Sequence, residues 1–314
     1  MEQEARTIPA ETPDTTAAAR QRKAEAMLLV VTLTWGATFA ITKTLLGTMG
    51  PMTMLVWRFG IAAIVFCLIY HRRLLGPLNR RDMIRGAILG IPLYAGFALQ
   101  TLGLSFTSSS RSGFITSLYV VITPILQITV TRRVPSRWVF IGIVIVLAGL
   151  WGLTAPGGTP DGLLDPWREG GFGYGDALTL GCAAVFALYI ILLDRFAQNA
   201  DIVILTAAQL VVMAVLSAVQ SLATEPWAYP ATAVNWAQIL YLAIFATVLS
   251  TYWQTLYQRD TTPTRAAVIY TMESVFAAII GMLILNEQLG PVGIAGGLLI
   301  VIGLLVVQLK GTGN

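Results

Sequence analysis

Apolar runs of about twenty residues, separated by short polar breaks, recur along almost the whole chain. At about 1.5 Å per residue, such a run is the length at which a helix crosses a hydrocarbon core about 30 Å thick. Ten can be placed, over residues 26–46, 52–70, 84–104, 112–131, 137–155, 175–194, 202–223, 236–257, 264–285 and 291–309. Backbone groups in lipid must be satisfied within their own segment, so each run reads as a helix. Pro51, Pro135 and Pro291 stand where new helices begin, a position that tolerates proline.

The charges between the runs set the orientation. Arg20, Arg22 and Lys23 precede the first run, and Arg72, Arg73, Arg80, Arg81 and Arg85 flank the second loop. Arg132, Arg133, Arg137, Arg195, Arg259, Arg265 and Lys310 fall on that same side if ten helices alternate. The other side holds Arg111, Arg168 and Lys43 with Asp161, Asp165, Glu169 and Glu225. Positive-inside then puts both termini in the cytoplasm, and a wrong helix count would scramble the asymmetry.

Composition agrees. Of 314 residues 56% are hydrophobic and 11% charged, with mean hydropathy +0.72. A soluble domain carries about 25% charged residues, so a polytopic membrane protein is expected. Cys67 and Cys182 lie inside apolar runs and read as small buried hydrophobes; no disulfide framework or metal site follows from them. The single histidine, His71, ends a run beside Arg72 and Arg73 and reads as interfacial. Residues 1–24 are polar and proline-containing, a disordered cytoplasmic tail rather than a signal peptide, because the run that follows is too long for an h-region. The loop over 156–174, rich in Gly, Pro and acids, follows no strand and opens no phosphate-binding turn. It reads as an extracytoplasmic linker between two halves, 25–155 and 175–310, and no ATP site is expected.

The halves match when the chain is slid by 154 residues. Gln100-Thr101-Leu102 falls on Gln254-Thr255-Leu256, Thr107 on Thr261, Arg111 on Arg265, Gly142 on Gly296, Gly149 on Gly303 and Leu150 on Leu304. Earlier in the chain a shift of 151 works better, bringing Lys43 onto Asp194 and Arg58 onto Gln209. Five helices are an odd number, so the second half enters the membrane from the opposite side. The expected fold class is an all-α polytopic membrane protein: ten helices as two inverted-topology five-helix repeats, with a site near the midplane between them.

Several segments carry a family resemblance. They are "LTWGATFAITK" (33–43), "WRFGIAAIVF" (57–66), "TSSSRSGFITSLYVVITPIL" (107–126) and the closing "ESVFAAIIGMLILNEQLGPVGIAGGLLIVIGLLVV" (273–307). Over roughly residues 25–310 the chain resembles the drug/metabolite transporter superfamily in its EamA branch. It departs from the family's Glu-Pro-Val pattern at Ser274, and Asn286 stands before Glu287 where a glycine is usual. The resemblance implies secondary transport, commonly export, without ATP. It leaves the solute open.

Glu273 is the leading candidate residue: a carboxylate near the middle of an apolar run, costly to insert. It reads as a proton-binding or amine-binding group, with a structural ion pair as the other reading. Arg58 and Lys43 are candidate charge partners. Arg58 lies about 10 Å below the outer surface and Glu273 about 14 Å above the inner one, at 1.5 Å per residue. Lys43 sits nearer the edge, where it can snorkel. Thr116, Tyr119 or Val120, Thr123 and Gln127 form a polar stripe, which serves interhelical hydrogen bonds or a cavity wall; Pro124 within it is a candidate kink. Trp35, Phe39, Tyr94, Tyr119, Tyr189, Tyr252, Trp253 and Tyr270 lie too deep for an interface belt and suit a cavity that holds amphipathic solutes or cations. Gly36, Gly296, Gly297 and Gly303 read as helix-packing positions.

The function expected is a secondary active transporter of a small organic metabolite, such as an amino acid, a derivative or an amphipathic drug. It would work by alternating access in a bacterial inner membrane, with export as the favoured direction and protons as the candidate coupling ion. Its partners are then a solute and the lipid bilayer, with no nucleic acid, no cofactor and no metal. No nucleophile–base pair or His/Asp cluster points to an enzyme, so no catalytic residues are assigned. A receptor or assembly protein without transport is the alternative, and a channel a weaker one.

Overall fold

The structure, a computed structural model, describes residues 15–107, 109–132, 134–153, 173–285 and 290–310, apart from the side chains of 110, 131 and 281–285. Among the described residues the fold is all helical. The first half comprises α1 (Thr15–Gly36), α2 (Thr38–Leu46), α3 (Pro51–Ile69), the single turn α4 (His71–Leu74), α5 (Arg80–Phe106), α6 (Ser109–Ser117), α7 (Tyr119–Thr131) and α8 (Arg137–Leu153). The second comprises α9 (Tyr174–Ala197), α10 (Ile202–Thr224), α11 (Ala233–Ala243), a π-helical segment (Ile244–Leu249), α12 (Ser250–Tyr257), α13 (Pro263–Tyr270), α14 (Met272–Leu285) and α15 (Pro291–Lys310).

Among the described residues, eight helical stretches are long and apolar enough to cross a membrane, and α8 is a shorter apolar helix. Their caps follow local chemistry. Asn79 accepts from the Arg81 amide, Asp201 from the Val203 and Ile204 amides, and Thr232 and Thr262 from the amides three residues on, while Pro51, Pro263 and Pro291 start their helices. Large aliphatic side chains such as Val144, Val219 and Leu309 point outward and are exposed, as a lipid-facing wall requires.

The expected tail gives way earlier than its composition suggested. α1 begins at Thr15, so residues 15–24 are helical rather than part of a disordered tail. The physical reason is local: "TTAAARQRKAEA" is dominated by strong helix formers, and Ala24 and Glu25 are buried against the bundle. Pro124 does not break its helix. α7 runs through it, and the interruption lies upstream at Leu118, between α6 and α7. A second interruption, at Thr271, separates α13 from α14. The two sit at nearly the same place in the two repeats, since Leu118 slid by 154 falls on Met272.

The halves interlock. α8 lies along α15, α3 against α10, and α5 against α9 and α10, while α1 meets α12, α13 and α14. The α8–α15 seam is the tightest. A Cβ on Gly149 would stand 2.7 Å from the Gly296 carbonyl oxygen, and one on Gly142 would stand 2.9 Å from that of Gly303. Only hydrogen fits there. Under the 154 shift Gly142 is the counterpart of Gly296 and Gly149 of Gly303, so each close contact is the image of the other. That exchange is what a two-fold relation between the repeats demands.

Candidate functional site

A cavity with an empty volume of about 610 Å³ opens between the two interruptions, bounded by both halves. Its walls repeat. At a separation of 151, Trp35 corresponds to Phe186 and Thr38 to Tyr189; at 154, Phe97 corresponds to Thr251, Gln100 to Gln254, Thr116 to Tyr270 and Tyr119 to Glu273. Six such pairs supply twelve of the sixteen lining residues, so the cavity sits on the pseudo-two-fold axis.

Apart from Gln100 and Gln254, the pairs are equivalent in position and unequal in side chain. Tyr119 and Glu273 each stand at the start of the helix that follows an interruption. One offers a phenol, the other a carboxylate. Glu273 is half-buried and, among the described residues, accepts no hydrogen bond and forms no ion pair. Arg58 lines the same cavity and lies within electrostatic reach of it.

Arg58 is held in place from the far side. Its Nε donates to Thr247 Oγ1 at 2.8 Å and its Nη2 to the Ala246 carbonyl at 3.2 Å. Both acceptors belong to the π-helical segment, whose wider turn displaces carbonyls from the regular ladder. Thr247 Oγ1 donates in turn to the Leu242 carbonyl (2.8 Å). The guanidinium lies 4.4 Å from the Phe97 ring centroid, a cation–π distance. The arginine's counterpart, Gln209, instead accepts from the Tyr189 hydroxyl at 2.9 Å.

The aromatic wall is fixed the same way. Tyr270 donates to Gln258 Oε1 (2.9 Å), and Gln258 Nε2 donates to the Ile190 carbonyl (2.7 Å). Trp35 packs edge-on to Tyr270, with ring centroids 5.4 Å apart. Among the described residues the buried indole N–H of Trp35 has no acceptor. Gln100 Nε2 donates to Thr116 Oγ1 at 3.3 Å.

Of the residues singled out from sequence, the structure brings Trp35, Arg58, Thr116, Tyr119, Tyr189, Tyr270 and Glu273 together around this cavity. The others lie elsewhere. Phe39 is buried in the bundle beside Gly113. Tyr94 donates to Gln220 Oε1. Thr123 bonds back to the Tyr119 carbonyl (2.7 Å), and Gln127 accepts from the amide and hydroxyl of Thr264. Tyr252 stacks with Phe66 and Tyr70. Lys43 caps the end of α5, donating to the Leu104 and Thr107 carbonyls at 2.7 and 2.9 Å. Sequence reasoning did not single out Thr38, Phe97, Gln100, Phe186, Thr251 or Gln254 as lining. The repeat register was the signal for Gln100 and Gln254, since that pair anchors the 154 shift. Among the described residues no cluster of His, Cys, Asp or Glu could hold a metal ion.

Helices long and apolar enough to cross a membrane, in two halves related by a repeat about a central cavity, define the class: a multi-pass membrane protein built from repeats. The family profile described as the EamA-like transporter family matches the chain twice, over residues 22–155 and 173–309, and the chain belongs to that family. It is 31% identical over 289 residues to an uncharacterized transporter of Archaeoglobus fulgidus, covering 90% of this chain and 85% of that protein. It is 25% identical over 287 residues to the uncharacterized transporter YyaM of Bacillus subtilis, covering 89% and 91%. A solved crystal structure with 18% identity superposes with a TM-score of 0.75 over 92% of this chain and 98% of its own, a likeness of fold. The chain is thus a membrane transporter.

Proposed function

We propose that the chain is a secondary active exporter of a small organic solute bearing an ammonium group, an amino acid, a derivative or an amphipathic amine, and that Glu273 exchanges that group for a proton. The observation that carries this reading is the unpaired Glu273 carboxylate in a cavity with aromatic walls. A buried charge left without a partner is costly, and a cationic solute or a proton removes that cost. Two occupants that both neutralise one carboxylate compete for it, which is the elementary form of antiport. Arg58 gives the cavity an opposite pole, suited to a solute carboxylate. The aromatic rings add apolar surface and cation–π attraction.

The protein would sit in a bacterial inner membrane with both termini in the cytoplasm, the orientation favoured by the arginine asymmetry. Residues 25–155 and 175–310 would rock as two units about the cavity, joined by the linker over 156–174. The test is uptake of a panel of amino acids and quaternary amines into proteoliposomes, with and without an imposed pH gradient. Saturable accumulation that requires the gradient supports the reading. Flux that never saturates, or no flux with any of the panel, sinks it.

A further inference from the structure

Two ion pairs outside the cavity are images of each other. Arg265 Nε donates to Glu25 Oε1 at 2.7 Å, and Arg111 Nη2 lies 2.7 Å from Asp176 Oδ2. Arg111 and Arg265 are counterparts at a separation of 154, and Glu25 and Asp176 are counterparts at 151. A threonine completes each pair, again at equivalent positions: Thr261 Oγ1 donates to Glu25 Oε1 and Thr107 Oγ1 to Asp176 Oδ1, both at 3.0 Å. Each bridge joins an arginine of one repeat to a carboxylate on the first helix of the other.

The bridges stand at opposite faces. Glu25 lies near the start of α1. The second bridge lies at the other end, where Lys43, eighteen residues and about 27 Å of helix further on, reaches the carbonyl of the same Thr107. Each arginine rides on a short helix, α6 or α13, that ends five or six residues later, just before the interruption beside the cavity. Any swing of α6 or α13 that opens a path to Tyr119 or Glu273 must therefore pull on its bridge.

We propose that Arg111–Asp176–Thr107 and Arg265–Glu25–Thr261 are the two gates of the transporter, one at each face, and that opening toward a face requires breaking that face's bridge while the other holds. The chemistry suits alternation. A charge pair buried in the closed state is released into water when its face opens, where ion pairs contribute little. The same exchange occurs at both faces, so two states of similar free energy result, as a bistable device needs. The Arg265 bridge is the more enclosed, with side chains 5% and 7% exposed against 19% and 3%, so the face where α1 begins holds the firmer gate.

This inference rests on the alternating-access reading above, but its test needs no solute. Cys67 and Cys182 are replaced by alanine, Gln100→Cys is introduced as a cavity reporter, and labelling by a membrane-impermeant maleimide is measured in right-side-out and inside-out vesicles. Arg111→Gln should raise labelling several-fold from the face of Asp176 only, and Arg265→Gln from the face of Glu25 only. Thr107→Val and Thr261→Val should shift labelling in the same two directions by a smaller factor. If an arginine variant does not fold, the threonine variant at that face decides. Labelling raised at the same face by both variants, or unchanged in folded variants, overturns the proposal. Normal sidedness with failed flux would count against the solute and coupling reading alone; normal flux with unswitched labelling would count against the gates alone.

Discussion

The two ends of the molecule and its middle have treated the internal repeat differently. At the ends the repeat is kept almost residue for residue: Arg111 and Arg265, Asp176 and Glu25, Thr107 and Thr261, and the interlocked glycines of α8 and α15. Around the cavity, positions are kept but, apart from Gln100 and Gln254, the paired side chains differ. Tyr119 has Glu273 as its image, Thr116 has Tyr270, and Arg58 has Gln209. Symmetry serves what must work identically from both faces, the packing and the closing contacts. A solute has no such symmetry, and the site that would hold it has a carboxylate on one side of the axis only.

The largest effects are expected at the ends. Arg265→Ala leaves Glu25 buried without its partner and should lower stability by about 3–5 kcal/mol, read as a large fall in melting temperature in detergent. Arg111→Ala should cost less, because its side chain is already 19% exposed; equal losses would contradict the difference in enclosure.

The glycine seam comes next. Gly296→Ala places a Cβ 2.3 Å from the Leu153 backbone nitrogen. It should destabilise by about 1–3 kcal/mol through overpacking. Gly297→Ala next door meets nothing closer than 3.8 Å and should be close to neutral in the same melt. In the middle, Thr247→Val removes the acceptor of the charged Arg58 Nε and should cost about 1.5–3 kcal/mol. If Arg58 positions the solute, it should raise the KM for transport more than it lowers the maximal rate. The smallest effect belongs to Lys43→Ala, an exposed residue bonded to two carbonyls at a helix end; it should change stability by under about 1 kcal/mol.

Much of the fold was legible because lipid imposes a long, simple period. Apart from the start of α1, which lies at Thr15 rather than residue 26, runs of apolar residues marked the helices to within a few positions, and the slide of 154 exposed the repeat. The interruptions at Leu118 and Thr271 were not legible, since neither carries a proline or glycine and each residue there is ordinary in a helix. The cavity was half legible. A polar stripe such as Thr116, Thr123 and Gln127 says that a helix does not face lipid. It does not say whether the opposing surface is another helix or open space. Gln127 and Tyr94 met partners on neighbouring helices, and Thr123 turned back on its own backbone. Thr116 faces the cavity. Phe97 and Phe186 carry no polar atom to mark them at all.

The most direct test of the central claim compares wild type with Glu273→Gln in proteoliposomes loaded with an amino acid or quaternary amine that wild type transports. Two readings are taken on each preparation: exchange of labelled for unlabelled solute, and accumulation driven by a pH gradient. The account predicts that the variant still exchanges solute at a measurable rate but no longer accumulates it. Accumulation by a folded variant equal to that of wild type would contradict the account and return Glu273 to a structural role.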